Sequence, residues 1–409
     1  MNGAFERQSS IDALRGLVMI LMALDHTRDF FGSTAVDPTN LSNTSVPLFL
    51  TRWITHICAP VFFLLTGAGA ALSLGRRTPG GLSWLLLTRG LWLIVLELTI
   101  VRCLGYQFNA DYRLTFLLVL WALGWSMIVL AALVRLPPPV VAGIGIAIVA
   151  LHNLLDGIQP ASFGSFAPLW SVLHQPGFVL ATPRVTVFAA YPLIPWIGVT
   201  AVGYGLGHLY RRRPDVRHDF LPPKGGSYKL DAQSTRALLL RGGVAMIAAF
   251  VVLRWTNVYG DPRPWSAQES GIFTVLSFVN TTKYPPSLLF LLMTLGVAAL
   301  LLWALHDRTP RVLGPAVIFG RVPLFYFVLH LTLIHAAAVV VCWLRYGDAH
   351  WMFQSARLDQ YPFTQPPGWG YALPLVYLAW LAVVAALYPV CRWYAAFKQR
   401  RSDWWLSYL

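Results

Sequence analysis

Between Ser10 and Phe31 the chain reads SIDALRGLVMILMALDHTRDFF, a mostly apolar run long enough to cross a bilayer that also carries Asp12, Arg15, Asp25, His26, Arg28 and Asp29. A charged side chain at mid-membrane costs roughly 2.5 to 3.5 kcal/mol on insertion scales, so ionisable groups inside a span face a protein interior, a water-filled cavity or a reacting substrate. Arg15 and His26 are eleven residues apart, which on a helix leaves them about 20° from alignment and about 16 Å apart along the axis. One stripe of a single helix therefore holds a guanidinium near one membrane face and an imidazole near the other. A histidine whose tautomer is fixed by a neighbour is a general base suited to neutral pH. An arginine grips phosphate with two parallel hydrogen bonds.

Other residues extend this pattern. The second apolar segment runs back from Arg52, which puts His56 at nearly the depth of His26. Two histidines and a carboxylate are expected to meet there, with His26, Asp25 and His56 as the candidate catalytic groups. Asp25 is adjacent to His26 in sequence and points elsewhere on the helix, so the acid that orients His26 is Asp29, Asp25 or Glu97. The plainer reading is a pair of histidines hydrogen-bonded between helices. His56, Pro60, Phe63 and Gly67 share a face and run into the small residues Gly67 to Ala71; such a face packs helices closely or lines a narrow cofactor channel. Further along, Gly320-Arg321-Val322-Pro323 opens a span in which Pro323, Tyr326 and His330 share a face while His335 points elsewhere. Arg15, Arg321, Gly67 and His330 are the candidate cofactor-binding residues, joined at the mouth by Arg76 or Arg77. Lys283 and Tyr284, with Arg28 and Arg52, are the candidates for binding a second substrate. Trp265, Trp369, Tyr284 and Tyr361 in the connecting loops can stack on sugar rings or form an interfacial aromatic belt.

The elements that must position these groups follow from composition. Of 409 residues, 56% are hydrophobic and 12% charged, and the mean hydropathy is +0.58, which marks a polytopic membrane protein. Apolar runs place spans near 11–31, 53–75, 84–104, 113–134, 140–156, 186–210, 236–255, 285–305, 316–343 and 371–397, about ten in an all-α transmembrane bundle. The domain is single, with halves at 1–210 and 237–409 joined by a polar linker at 211–236 that holds Pro222-Pro223 and Gly225-Gly226. No sequence repeat relates the halves. With both termini cytoplasmic, the inside segments collect Arg76, Arg77, Arg135, the run Arg211 to Arg213, Arg311, Lys398, Arg400 and Arg401, as the positive-inside rule requires. That bias accounts for much of the net charge of +14 and leaves nucleic acid unneeded. The first span reads as an uncleaved start-transfer helix. Cys58, Cys103, Cys342 and Cys391 have neither disulfide nor metal spacing, and the thiol of Cys58 cannot face His56, two residues away.

Four strings, SIDALRGLVMILMALDHTRDFF, RWITHICAPVFFLLTGAGA, TKYPPSLLFLLMTLG and FGRVPLFYFVLHLTLIH, resemble the bacterial branch of the heparan-alpha-glucosaminide N-acetyltransferase catalytic-domain family. The first contains the R-x10-H pattern of the membrane acyltransferase superfamily. The resemblance runs from Ser10 to about Tyr394. It implies a ten-helix core in the bacterial cytoplasmic membrane that passes an acyl group, commonly acetyl, from cytoplasmic acyl-CoA to an amino or hydroxyl group of a sugar-type acceptor across the membrane. It also implies that His26 is the catalytic histidine, as base or transient acyl carrier, and that Arg15 contacts the cofactor. The partners expected are membrane lipid, acyl-CoA and the acceptor; a homodimer is compatible with the chain, and no metal is called for. The rival readings are a proton-coupled carrier relaying protons through Asp25, His26, Glu97 and His330, and an inert scaffold whose loops bind envelope sugar.

Overall fold

Ser45 and Thr78 show how the sequence sets its helices: each accepts a hydrogen bond from a first-turn amide, that of Leu48 at 3.4 Å and that of Gly81 at 3.1 Å, and each precedes a proline in the first turn. The computed structural model describes residues 2–33, 36–74, 77–209, 232–306, 309–401 and 403–408. In order, α1 (Asn2–Phe31), α2 (Val46–Ile54), α3 (Cys58–Ser73), α4 (Pro79–Leu96), α5 (Val119–Leu133), α6 (Pro138–Leu151), α7 (Ala167–Leu173) and α8 (Leu193–Leu209) form the first half. The second half holds α9 (Ala232–Thr256), α10 (Gly271–Val279), α11 (Leu288–Leu305), α12 (Gly314–Arg321), α13 (Pro323–Tyr346) and α14 (Leu373–Arg400). The chain is an all-α polytopic bundle. Among the described residues seven helical segments are long and apolar enough to cross a membrane, α5 and α8 are shorter apolar helices, and α1 carries the ionisable stripe. These are the ten segments expected.

Four local departures matter. The second segment is interrupted by a 3-10 turn, Thr55–Ile57, and α4 continues as a π-helix, Glu97–Tyr106. The segment at 113–134 begins as a strand, β1 (Leu114–Leu117), parallel to β3 (Thr186–Ala189), which pairs antiparallel with β2 (Gly177–Ala181) in the order β1-β3-β2. A 15-residue helix such as α5 spans about 22 Å, short of a hydrocarbon layer of about 30 Å. β1 leads into α5 and β3 toward α8, so the paired strands satisfy the backbone where those helices stop. Finally, the segment at 316–343 divides at Val322 (φ −129°, ψ 51°), because the residue before Pro323 is pushed out of helical conformation. Most of the linker at 211–236 lies outside the described residues, and α9 begins at Ala232.

Small residues set the closest crossings. A Cβ on Gly16 would lie 1.6 Å from the Ala316 carbonyl oxygen, and one on Gly320 would lie 1.9 Å from that of Asp12, so α1 and α12 touch backbone to backbone. This contact brings Arg321 beside Arg15. At the other end of α1, the loop before α14 supplies donors to terminal carbonyls that have no partner within the helix. Trp369 Nε1 donates to Phe30 O (3.0 Å), Tyr371 N to Phe31 O (2.8 Å) and Gln365 Nε2 to Gly32 O (3.2 Å).

Candidate active site and adjoining cavity

His26 lies on the buried side of α1 five residues before its end, and its ring nitrogens have different partners. Nδ1 is 2.7 Å from His330 Nε2 on α13, the two rings lying within 14° of parallel. Nε2 is 3.4 Å from the hydroxyl of Tyr106, the last residue of the π-helix. His330 Nδ1 is 3.0 Å from the Tyr326 carbonyl oxygen. A carbonyl only accepts, so His330 Nδ1 carries a proton and Nε2 of the neutral ring accepts. His26 must then donate through Nδ1, which leaves a lone pair on its Nε2, directed at the Tyr106 hydroxyl. The tautomer is thus set by a backbone carbonyl relayed through His330.

This arrangement corrects several expectations. His26 does not pair with His56. The latter sits on the 3-10 turn with its ring 5.4 Å from Phe290 of α11, and its buried Nδ1 has no hydrogen-bond partner among the described residues. None of the three candidate acids bonds His26. Asp25 is held by Arg28 (2.8 Å) and Arg52 (2.5 Å), and Asp29 pairs with Arg28 (2.5 Å). Glu97 accepts from the Leu120 amide at 2.8 Å and so caps α5, whose own N-cap residue offers no side-chain acceptor. Arg28 and Arg52 are therefore committed to carboxylates rather than open to a substrate. Breaking a buried pair leaves uncompensated charge, so Asp25→Ala, which strands Arg52 and leaves Arg28 only the partly exposed Asp29, is expected to lower stability by about 3 to 5 kcal/mol. Asp29, whose side chain is 38% exposed, is expected to cost under about 1 kcal/mol when replaced by Ala. Thermal unfolding of both variants in detergent measures the contrast.

Lys283 and Tyr284 sit on a firmly built loop. Buried Arg254 donates to the carbonyls of Arg263 (2.7 Å), Phe278 (2.9 Å), Ser277 (3.0 Å) and Asn280 (3.0 Å). Asp261 accepts from the Thr282 amide and from the hydroxyls of Thr282 and Ser287. The Lys283 ammonium lies 5.2 Å from the centre of the Tyr284 ring and makes no hydrogen bond or ion pair among the described residues. Its charge acts on Asp25, His26 and His56, so it belongs to the same polar layer. Tyr284 reaches the Tyr191 hydroxyl at 3.3 Å. The other aromatic residues expected to stack on sugar are engaged within the protein. Trp369 is buried, Trp265 packs on Trp255 and Phe278, and Tyr361 packs on Phe116 and Tyr106.

Beside the middle of α1, on the Arg15 side of His26, a cavity of about 370 Å³ lies between α1, α3, α4, α5 and α13. Arg15, Arg89, Arg321 and Lys398 line it, with no carboxylate among its lining residues, and the remaining walls are largely apolar. Arg15 is fixed by Asp12 (2.9 Å) and the Gly320 carbonyl (2.9 Å), and Arg321 lies 3.8 Å from the same aspartate. Tyr408 also lines the cavity; its hydroxyl is 2.9 Å from Thr88 Oγ1 and its carbonyl accepts from Trp92 Nε1. Phe327 closes the deep end, its ring 6.3 Å from that of His26.

Arg77 is exposed and does not line the cavity, and Arg76 lies outside the described residues. Arg89 and Lys398 are the lining cations that spacing does not single out. Gly67 faces away: a Cβ there would lie 1.9 Å from the Thr200 carbonyl oxygen of α8, and its neighbour Phe63 stacks on Trp196 at 4.5 Å. The cavity instead uses Phe62, Thr66, Gly69 and Ser73, the other face of α3. His330 points to His26 rather than into the cavity. Among the described residues no three His, Cys, Asp or Glu side chains come together as a metal site requires.

A family model described as heparan-alpha-glucosaminide N-acetyltransferase, catalytic, matches residues 7–254, more than half of the chain. The chain belongs to this family. No curated protein matches it. The family's matched segment contains α1 from residue 7 onward, His56, Tyr106, Arg89 and the α3 to α5 walls of the cavity, whereas Lys283, Arg321, His330 and Lys398 lie beyond it. Membership makes the protein an integral membrane member of a family of acetyltransferases.

Proposed function

We propose that the protein moves an acetyl group from cytoplasmic acyl-CoA to an amino or hydroxyl group of an acceptor across the bacterial cytoplasmic membrane.

The observation that carries this reading is one cavity lined by four cations and, behind the Phe327 of its wall, a histidine whose Nε2 lone pair faces only the Tyr106 hydroxyl among the described residues. The adenosine phosphates of a coenzyme A thioester are too charged to enter lipid and need a cationic entrance. Arg15, Arg89, Arg321 and Lys398 supply it on the cytoplasmic side. The pantetheine arm follows the apolar walls, and the thioester reaches His26 once the Phe327 ring turns aside. The acceptor comes from the far side, between His26, His56 and the loop of Lys283 and Tyr284. His26 Nε2 takes its proton as it attacks the thioester carbon, and the thiolate of coenzyme A leaves with that proton. A sugar is the acceptor class we favour, and the uncommitted ammonium of Lys283 suits one that carries an anionic group.

The test is acetyl-CoA binding and turnover by the purified protein in detergent. We expect binding that weakens with salt, and radiolabel passing to an amino sugar such as glucosamine or to water. Solute flux in proteoliposomes with no binding of acetyl-CoA or longer acyl-CoAs would replace this reading with the carrier.

A further inference from the structure

Tyr106 has no role in the scheme above, yet its hydroxyl faces the one atom of His26 that does the work. We propose that Tyr106 is a catalytic residue that donates a hydrogen bond to the thioester oxygen as negative charge develops on it. The inference rests on the acetyltransferase reading and adds a group to it.

Four observations carry the assignment. First, Tyr106 is buried, 7% exposed, and its hydroxyl has a single hydrogen-bond partner among the described residues, His26 Nε2. Second, the tautomer set through His330 makes that nitrogen an acceptor, so the tyrosine is the donor. Third, the ring is wedged between His26 at 5.8 Å and Tyr361 at 5.4 Å. Fourth, Tyr106 closes a ten-residue π-helix, a winding that is rare and frequently found at functional sites. That turn is clamped from α13, where His335 Nδ1 lies 3.0 Å from the Gly105 carbonyl oxygen and a Cβ on Gly105 would lie 3.3 Å from that of Leu331.

The consequence follows from counting partners. His26 Nε2 has one lone pair in the ring plane. When the acceptor's N–H or O–H takes that lone pair, the Tyr106 hydroxyl loses its partner, and leaving it unsatisfied in a buried site is costly. The new acceptor within reach is the oxygen of the thioester that the same acceptor group is attacking. As the acceptor's heteroatom bonds to the carbonyl carbon, the C=O π electrons move to oxygen and the proton passes to His26 Nε2. Tyr106 donates to that oxygen and keeps its own proton. The C=O then reforms, the C–S bond breaks, and the thiolate takes the proton from His26. The resting distance of 3.4 Å is long for a hydrogen bond to oxygen or nitrogen, as unliganded sites often show, so the donor is readily released.

The experiment compares wild type, Tyr106→Phe and a series with fluorinated tyrosines at position 106, using radiolabelled acetyl-CoA with glucosamine or water as acceptor. Loss of one oxyanion donor is expected to lower kcat by about 10²- to 10³-fold, with acetyl-CoA binding unchanged. In the fluorinated series the ring is retained and kcat should follow phenol acidity, which a packing role would not produce. Wild-type kcat in Tyr106→Phe, or a fluorinated series in which kcat ignores acidity, overturns the assignment while leaving the acetyltransferase reading in place. A wild type that transfers acetyl to neither acceptor and binds no acyl-CoA brings down both. Should Tyr106→Phe fail to fold, the fluorinated series decides alone.

Discussion

His26→Ala is expected to lower acetyl transfer by about 10²- to 10⁴-fold, the usual contribution of a positioned general base, with acetyl-CoA still bound. The separation is expected because His26 lies beyond Phe327, outside the cavity that the cations line. The same geometry makes a sharper prediction about His330. Its role is to accept from His26 Nδ1 and so keep the lone pair on Nε2. His330→Gln retains an oxygen that can accept this bond and should keep much of the activity. His330→Leu removes the acceptor, frees His26 to adopt the other tautomer and should approach the loss in His26→Ala; a wrong tautomer alone can cost as much as about 10⁴-fold. Single-turnover transfer of radiolabelled acetyl measures all three variants. Full activity in His330→Leu would show that the relay does not set the reactive nitrogen, and full activity in His26→Ala would remove His26 from the chemistry.

What the sequence could show of this arrangement depended on helical regularity. The stripe of Arg15 and His26 lies within one uninterrupted helix, so counting residues places a cation and an imidazole about 16 Å apart along it. The shared face of Pro323, Tyr326 and His330 is likewise regular: Pro323 lines the cavity while His330 lies deeper, against His26. Counting fails where the backbone leaves the α-helix. Tyr106 falls two residues past the expected end of its span because the chain winds as a π-helix there, and His56 is turned toward Phe290 from a 3-10 turn. A two-residue step on α3 separates Gly67, packed on α8, from Gly69, which lines the cavity. Two residues turn a helix by about 200°, and small residues on both faces gave no sign of which one met a neighbour. Asp25 illustrates a different limit. A carboxylate next to a histidine suggests an orienting acid, but the cations three residues along and across on α2 claim it. Arg89 is a lone cation in an apolar helix, and Lys398 sits in a basic helix end that positive-inside bias alone explains, so the use of either depends on which neighbours close a cavity around it.

Arg89→Ala combined with Arg321→Ala is expected to weaken acetyl-CoA binding by about 10²- to 10⁴-fold, since hydrogen bonds to charged groups contribute about 1.5 to 3 kcal/mol each and each 1.4 kcal/mol is a factor of about ten. These two are the informative choices. Arg15 is tied to Asp12 and the Gly320 carbonyl, so its removal would also loosen the α1–α12 crossing and mix affinity with stability. Arg321 is only 3.8 Å from Asp12 and can turn to a phosphate at little cost to the fold. Equilibrium binding of radiolabelled acetyl-CoA at low and high ionic strength checks the effect, which should shrink as salt screens the mouth. Acetyl-dephospho-CoA, which lacks the 3′-phosphate, separates the contacts further: the gap between wild type and variant narrows for it if either arginine holds that group. Because the cations line the cavity and the base lies beyond Phe327, the double variant should raise KM while leaving kcat close to wild type, the mark of binding energy used equally in ground and transition states. Wild-type affinity in the double variant would mean that the phosphates sit elsewhere and that the cavity is not the donor's path.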